Sequence, residues 1–147
     1  MNNQLPIALH IVGFLAASEG MPLTSERMAS VYGTSPVLVR RVLGKLQSAG
    51  LVRSRRGSKG GSVLERAPSK INLREVFEAV QEEKPVLPEY SDSCSGAVAP
   101  VLRNYLNELF AEAEEAMLRK LQSITVAQMD RSVRRRILKA VRARAAG

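Results

Sequence analysis

Apolar residues recur along this chain with two different periods, and the change of period marks the elements. Over residues 34–50, Val39, Val42, Leu43 and Leu46 follow the i, i+3, i+4, i+7 spacing, which predicts a helix that buries one stripe. Ser35 suits the N-cap, Pro36 the first helical position, and Gly50 a left-handed C-terminal residue. The opposite face carries Val37, Arg40, Arg41, Gly44 and Lys45. Upstream, residues 5–17 are apolar around most of a helical circumference, with Pro6 tolerated in the first turn, so that helix needs cover on several sides. Between the two, Thr24 caps a short helix through Val31 that turns Met28, Ala29 and Tyr32 inward and stops at Gly33.

After Gly50 the pattern shortens to extended runs at 51–55 and 62–66, flanking the Gly-rich basic stretch 56–61, which predicts a β-hairpin. Helical spacing returns at 71–81, with Leu73, Val76, Phe77 and Val80 on one face. Residues 82–96 are rich in Pro, Ser and acids and form a loop by composition. The stripe over 98–123 then includes Leu102, Tyr105, Leu106, Leu109, Phe110, Ala113 and Met117. At 1.5 Å per residue that helix would be roughly 39 Å long, more than a small domain can cover, and a second copy of the same helix is the symmetric solution. Residues 130–144 place Val133, Ile137, Leu138 and Val141 on one side and cations elsewhere. This basic amphipathic helix is expected to be a solvated or loosely docked tail, ahead of DNA-backbone or anionic-lipid contact.

A short helix, a tight turn, a cation-faced helix and a hairpin compose a winged helix-turn-helix. The expected fold class is mostly α with a small β-hairpin. A DNA-binding domain at 1–81 is followed by a loop at 82–97, a dimerisation helix at 98–124 and a basic tail at 125–147.

Composition narrows the function. Aromatics make up 4% of the 147 residues and Trp is absent, which disfavours the stacking platforms of single-strand RNA binders. No apolar run approaches membrane-spanning length and no signal peptide is evident, so a cytoplasmic protein is expected. The net charge of +8 is unevenly placed: residues 24–66 hold nine basic and two acidic side chains, and 130–147 seven basic and one acidic. That central block is the footprint expected of a nucleic-acid contact. Thr24, Ser25 and Ser35 would meet phosphates near helix N-termini, Val37, Arg40 and Arg41 would face major-groove bases, and Pro36 belongs to the same DNA-binding set. Lys45, Arg55, Arg56, Gly57, Ser58, Lys59 and Gly60 would hold backbone and minor groove. The Gly-rich loop lacks the Gly-Lys-Ser/Thr ending of a nucleotide-binding loop. No catalytic arrangement is visible, since the single histidine, His10, lies in an apolar helix, where a partly buried structural role is expected, and the single cysteine, Cys94, in a distant loop.

Several ordered motifs carry a resemblance: Thr34 through Arg41, then Ala49 through Gly57 with Gly60, Gly61 and Leu64, then Ile71 through Val76. Over roughly residues 5–125 the chain resembles the Rrf-two-type winged-helix transcriptional regulators, whose members include iron–sulfur, nitric-oxide and cysteine-metabolism regulators. Ser62 departs from that pattern, where many members carry an aromatic residue. The resemblance implies a homodimer on double-stranded DNA, acting as a repressor. Cluster-binding members hold iron with three cysteines in the loop where only Cys94 stands here, so no cofactor is expected. Cys94 is either an inert packing residue or a redox switch. A winged helix used for protein binding, and an iron–sulfur sensor with borrowed ligands, are the alternatives.

Overall fold

A computed structural model of the chain describes residues 4–82, 86–87 and 96–146. They form α1 (Gln4–Ala17), α2 (Ser25–Tyr32), α3 (Pro36–Ser48), β1 (Val52–Arg55), β2 (Gly61–Leu64), a 3-10 turn (Pro68–Lys70), α4 (Leu73–Val80), α5 (Ala99–Gln122) and α6 (Val126–Ala145). The architecture is the predicted one, mostly helical with one antiparallel hairpin.

Caps start the helices where the sequence places them. The Thr24 hydroxyl accepts from the Arg27 amide at 3.2 Å, and the Ser35 hydroxyl from the Val37 amide at 3.2 Å. Gly33 and Gly50 close α2 and α3 with φ of 63° and 71°, values a side chain would strain. α3 buries Val39, Val42, Leu43 and Leu46, the whole predicted stripe, against α1 and α4. α4 buries Leu73, Val76, Phe77 and Val80 and begins with a capping box, in which Asn72 and Glu75 exchange side chain-to-backbone hydrogen bonds of 3.0 and 3.1 Å. Together with Ala8, Ile11, Val12 and Leu15 of α1 these residues, Phe77 apart, form one aliphatic core.

Two connections lie outside what periodicity predicts. Leu23, just before α2, pairs with Ser62 of β2 through hydrogen bonds of 3.1 and 2.8 Å, adding a one-residue third strand to the wing. Ser62 is thereby buried, and an aromatic side chain is not what secures the wing here. The α5–α6 junction is tied to the start of α4 in the same way: the Leu73 amide donates to the Ile124 carbonyl and the Val126 amide to the Ile71 carbonyl, at 2.9 and 2.8 Å.

The C-terminal segment is docked at its start and exposed beyond it, the exposed part being the stretch expected as a solvated tail. α6 starts with a capping box at Thr125, buries Val126 completely and packs on α1 and the 3-10 turn, with Met129 resting near Gly13. This is the cover that the all-round apolar α1 requires. Beyond Asp130, α6 is exposed through Ala146. His10 differs from the expected partly buried residue: it is exposed, its ring stacked on Tyr32 at 4.5 Å, and the Tyr32 hydroxyl donates to the His10 carbonyl at 2.9 Å. Partial burial raises the Tyr32 phenol above its ordinary pKa.

Candidate nucleic-acid interface

α3 turns its cations outward because four of its apolar residues, Val39, Val42, Leu43 and Leu46, are consumed by the core. Val37, Arg40 and Arg41 stand exposed on its outer surface, Val37 with 60% of its surface accessible, and Lys45 is half-buried one turn on. An apolar side chain so exposed near a helix N-terminus is suited to touch a base methyl group. Gly44 lies on the same outer surface with no atom within 4 Å of where a side chain would begin, so the backbone there is bare.

The wing stands beside α3, and the two enclose an open cleft of about 630 Å³. Thr24, Ser25, Arg40, Arg55, Arg56, Gly57, Ser58 and Gly60 line it, so α2, α3 and the wing loop bring these predicted residues together. Ser35, Pro36, Val37, Arg41, Lys45 and Lys59 are not among its walls; except for half-buried Pro36 and Lys45 they lie exposed on the outer surface. The wing's glycines are required by close approach. A side chain on Gly60 would begin 2.3 Å from the Arg55 carbonyl oxygen, and one on Gly61, whose φ is 150°, 2.6 Å from the Leu23 carbonyl oxygen. The wing tip can therefore fold tightly enough to aim Arg55 and Arg56 past the strands only with glycine at both positions.

Periodicity did not single out three cleft residues. Gln47 donates a short hydrogen bond to the Ser54 hydroxyl, tying α3 to β1. Its place seven residues after Arg40 puts it on the same helical face, which was readable from spacing alone. Glu26, read only as a first-turn acid favoured by the helix dipole, holds Arg40: the guanidinium Nη1 lies 2.7 Å from Glu26 Oε1 and 3.4 Å from Ser25 Oγ. The Glu26 carboxyl is held below its ordinary pKa, first by its backbone N–H, then by the Ser25 hydroxyl, which donates at 3.1 Å, with a smaller contribution from Arg40. Glu26 is thus ionised at neutral pH and aims the guanidinium.

A helix-turn-helix with a basic wing, built inside the +7 block of the chain, defines a winged-helix DNA-binding protein. Comparison with known proteins narrows the class. Residues 1–131 match the Rrf2 family, described as iron-dependent transcriptional regulators. The chain is 32% identical over 124 residues to YwnA of Bacillus subtilis (strain 168), named as an HTH-type transcriptional regulator, across 84% of this chain and 91% of that one. Among solved structures, CymR of B. subtilis, described as the global cysteine regulator, superposes with a TM-score of 0.69 at 25% identity, covering 90% of this chain and 96% of CymR. Another, described as a DNA-binding protein, gives 0.70 at 29% identity over 86% and 98%. The chain belongs to the Rrf2 family: it is a DNA-binding transcriptional regulator and not an enzyme.

Iron is a separate matter, decided by the donor set. The whole sequence holds one cysteine and one histidine, and that histidine is stacked on Tyr32. Among the described residues no three His, Cys, Asp or Glu side chains are grouped to hold a metal ion. An iron–sulfur cluster takes four ligands, mostly thiolates, so these residues do not fit one. Cys94 lies outside the described residues, as does most of the 82–97 loop. Among the described residues no helix is long and apolar enough to cross a membrane.

Proposed function

We propose that the protein is a homodimeric, sequence-specific repressor whose two α3 helices enter successive major grooves of a pseudo-palindromic operator. The observation that carries this reading is the exposed Val37–Arg40–Arg41 face of α3 standing beside the Arg55–Arg56 wing loop. Arg40 and Arg41 are suited to bidentate contact with guanine, and Val37 to a thymine methyl. Thr24, Ser25, Ser35 and Lys45 meet phosphates, and Arg55, Arg56, Ser58 and Lys59 straddle the adjoining backbone and minor groove. Pro36 presets the approach of α3, while Gly57 and Gly60 let the wing backbone come close.

Support for the dimer comes from what one chain leaves uncovered. No residue of the 24-residue α5 is fully buried, and Leu102, Tyr105 and Leu109 are exposed along it, as is Ala113. Leu106, Phe110 and Met117 are half-buried within the subunit, so the contact between subunits centres on the exposed group.

Arg40→Ala is expected to relax base preference at one operator position at a loss of about 1–3 kcal/mol, whereas Lys59→Ala weakens binding to all sequences and lowers the salt slope by about one. Fluorescence anisotropy on a set of single-base operator variants at several salt concentrations separates the two effects. Specific binding that survives both substitutions would show that α3 and the wing do not face the DNA. A thiol-based response of this chain runs only through Cys94, its sole thiol. Peroxide should release operator from wild type and not from Cys94→Ser; equal behaviour of the two assigns Cys94 to packing.

A further inference from the structure

α5 is joined to the winged-helix domain at its C-terminal end. There the Leu73 amide donates to the Ile124 carbonyl at 2.9 Å and the Val126 amide to the Ile71 carbonyl at 2.8 Å, with Asn72 paired strand-like to Thr125. Such a joint fixes where α5 leaves the domain and leaves its angle to weaker contacts, since no residue of α5 is fully buried. A second attachment lies close to the joint. The Arg74 guanidinium donates through Nε to Glu78 Oε1, one turn along α4, at 2.7 Å, and through Nη1 to Gln122 Oε1 of α5 at 3.4 Å. The Glu78 hydrogen bond favours its charge first, and Glu115 of α5 attracts it as well. Glu115 and Gln122 are seven residues apart and so lie on one side of α5. Arg74 therefore ties two helices together, its guanidinium plane held by Glu78 and its free edge turned to α5.

We propose that Arg74 is a positioning residue that sets which half-site spacing this regulator accepts, by locking the angle between α5 and the domain that carries α3. The proposal rests on the homodimer reading, in which α5 is the arm that links the two α3 helices. α4 packs against both α3 and α5, so a lock on α4 carries the direction of the arm to the α3 surface. The arm is long enough for small angles to matter. α5 has 24 residues and is roughly 36 Å long, so a swing of about 5° displaces its far end by roughly 3 Å, close to the ~3.4 Å rise of one base pair. A free arm would accept half-sites one base pair closer or further apart with little loss, whereas a locked arm is strained by each misplaced base pair. Arginine suits this task and lysine does not, because the planar fork engages two acceptors in fixed directions. The pairing is partly exposed and adds little to folding, so its effect falls on direction.

The experiment uses the full chain and an operator that the wild type selects from a random DNA pool. Variants of that operator move the two half-sites together or apart by one and two base pairs, and anisotropy gives the affinity for each. Wild type should lose on the order of tenfold for a displacement of one base pair. Arg74→Lys, Arg74→Ala and Gln122→Ala should each flatten that profile to within about threefold, with affinity for an isolated half-site and the dimer dissociation constant unchanged. Gln122→Glu, which offers Arg74 a charged acceptor, should keep the profile as sharp as in wild type. A wild type that is monomeric at micromolar concentration overturns the homodimer and the lock with it. A dimeric wild type that already tolerates displaced half-sites, or a sharp profile that survives all three substitutions, overturns the lock and leaves the homodimer standing. Equal weakening at every spacing, with a lower urea midpoint, assigns Arg74 to folding stability and likewise overturns the lock.

Discussion

The role proposed for Arg40 sets two requirements on one side chain: it must be free enough to reach a base edge and held well enough to reach the same one each time. Its partners resolve this. Glu26 and Ser25, on the first turn of α2, hold the guanidinium from one side while leaving its side chain 54% exposed. An exposed ion pair adds little to folding, so the pairing serves orientation more than stability. Glu26→Gln is therefore expected to leave the folded state intact and to act on DNA in two directions. Removing an anion from a phosphate-facing surface should tighten non-specific binding by about two- to fivefold at low salt. Loss of the orienting carboxylate should lower the ratio of operator to random-sequence affinity. Anisotropy titrations on both DNAs test this, and a ratio that is unchanged would reduce Glu26 to a bystander. The sequence shows an acid in the first turn of α2 and a cation on α3. That they touch depends on the angle of the turn through Gly33, which no spacing encodes.

Among the elements, those stabilised by their own residues were legible and those stabilised by a distant partner were not. α3 and α4 carry their caps, their apolar stripes and their stops within their own short segments, and they fold where the pattern puts them. The strand-like pairing of Leu23 with Ser62 and the docking of α6 on α1 join residues far apart in sequence, and neither leaves a periodic trace. Two substitutions probe this level. Gly44→Ala replaces a bare helical glycine in open space, so it should stabilise α3 by about 0.5–1 kcal/mol and raise Tm by roughly 1–4 °C. Its methyl would stand on the surface proposed to face DNA, and operator affinity should fall although stability rises. Glu75→Gln keeps the geometry of the capping box but loses the ion pair to Arg66, whose Nη2 lies 2.6 Å from Glu75 Oε1. Partial burial opposes ionisation of Glu75, yet the hydrogen bonds from Arg66 and the Asn72 backbone outweigh it and hold the carboxyl below its ordinary value of 4.5. A depressed folded pKa contributes stability that is complete above the unfolded value and is lost as pH falls through the folded one. Urea midpoints should thus show Glu75→Gln weaker than wild type by about 0.5–1 kcal/mol at pH 7, converging with it in acid.

For the whole molecule, the charge partition singled out the block that forms α2, α3 and the wing before any fold was considered, because nine cations stand there against two acids. The subunit contact was legible only as an excess, a stripe too long for one domain. The structure divides that excess into a half-buried inner edge and an exposed outer edge. The outer edge carries the last prediction. Leu109 is 43% exposed in the single chain, so Leu109→Arg should fold normally, with unchanged far-ultraviolet circular dichroism. In a dimer it would place a charge in an apolar contact beside its symmetry mate, which is costly both by desolvation and by repulsion. The variant should sediment as a monomer at micromolar concentration where wild type sediments as a dimer. Two linked α3 helices bind two half-sites with the second contact nearly intramolecular. Losing the linkage should therefore weaken operator binding on the order of a hundredfold while leaving half-site binding unchanged. A Leu109→Arg protein that remains dimeric would move the subunit contact off the outer edge of α5, and one that is monomeric yet binds operator like wild type would remove the need for two half-sites.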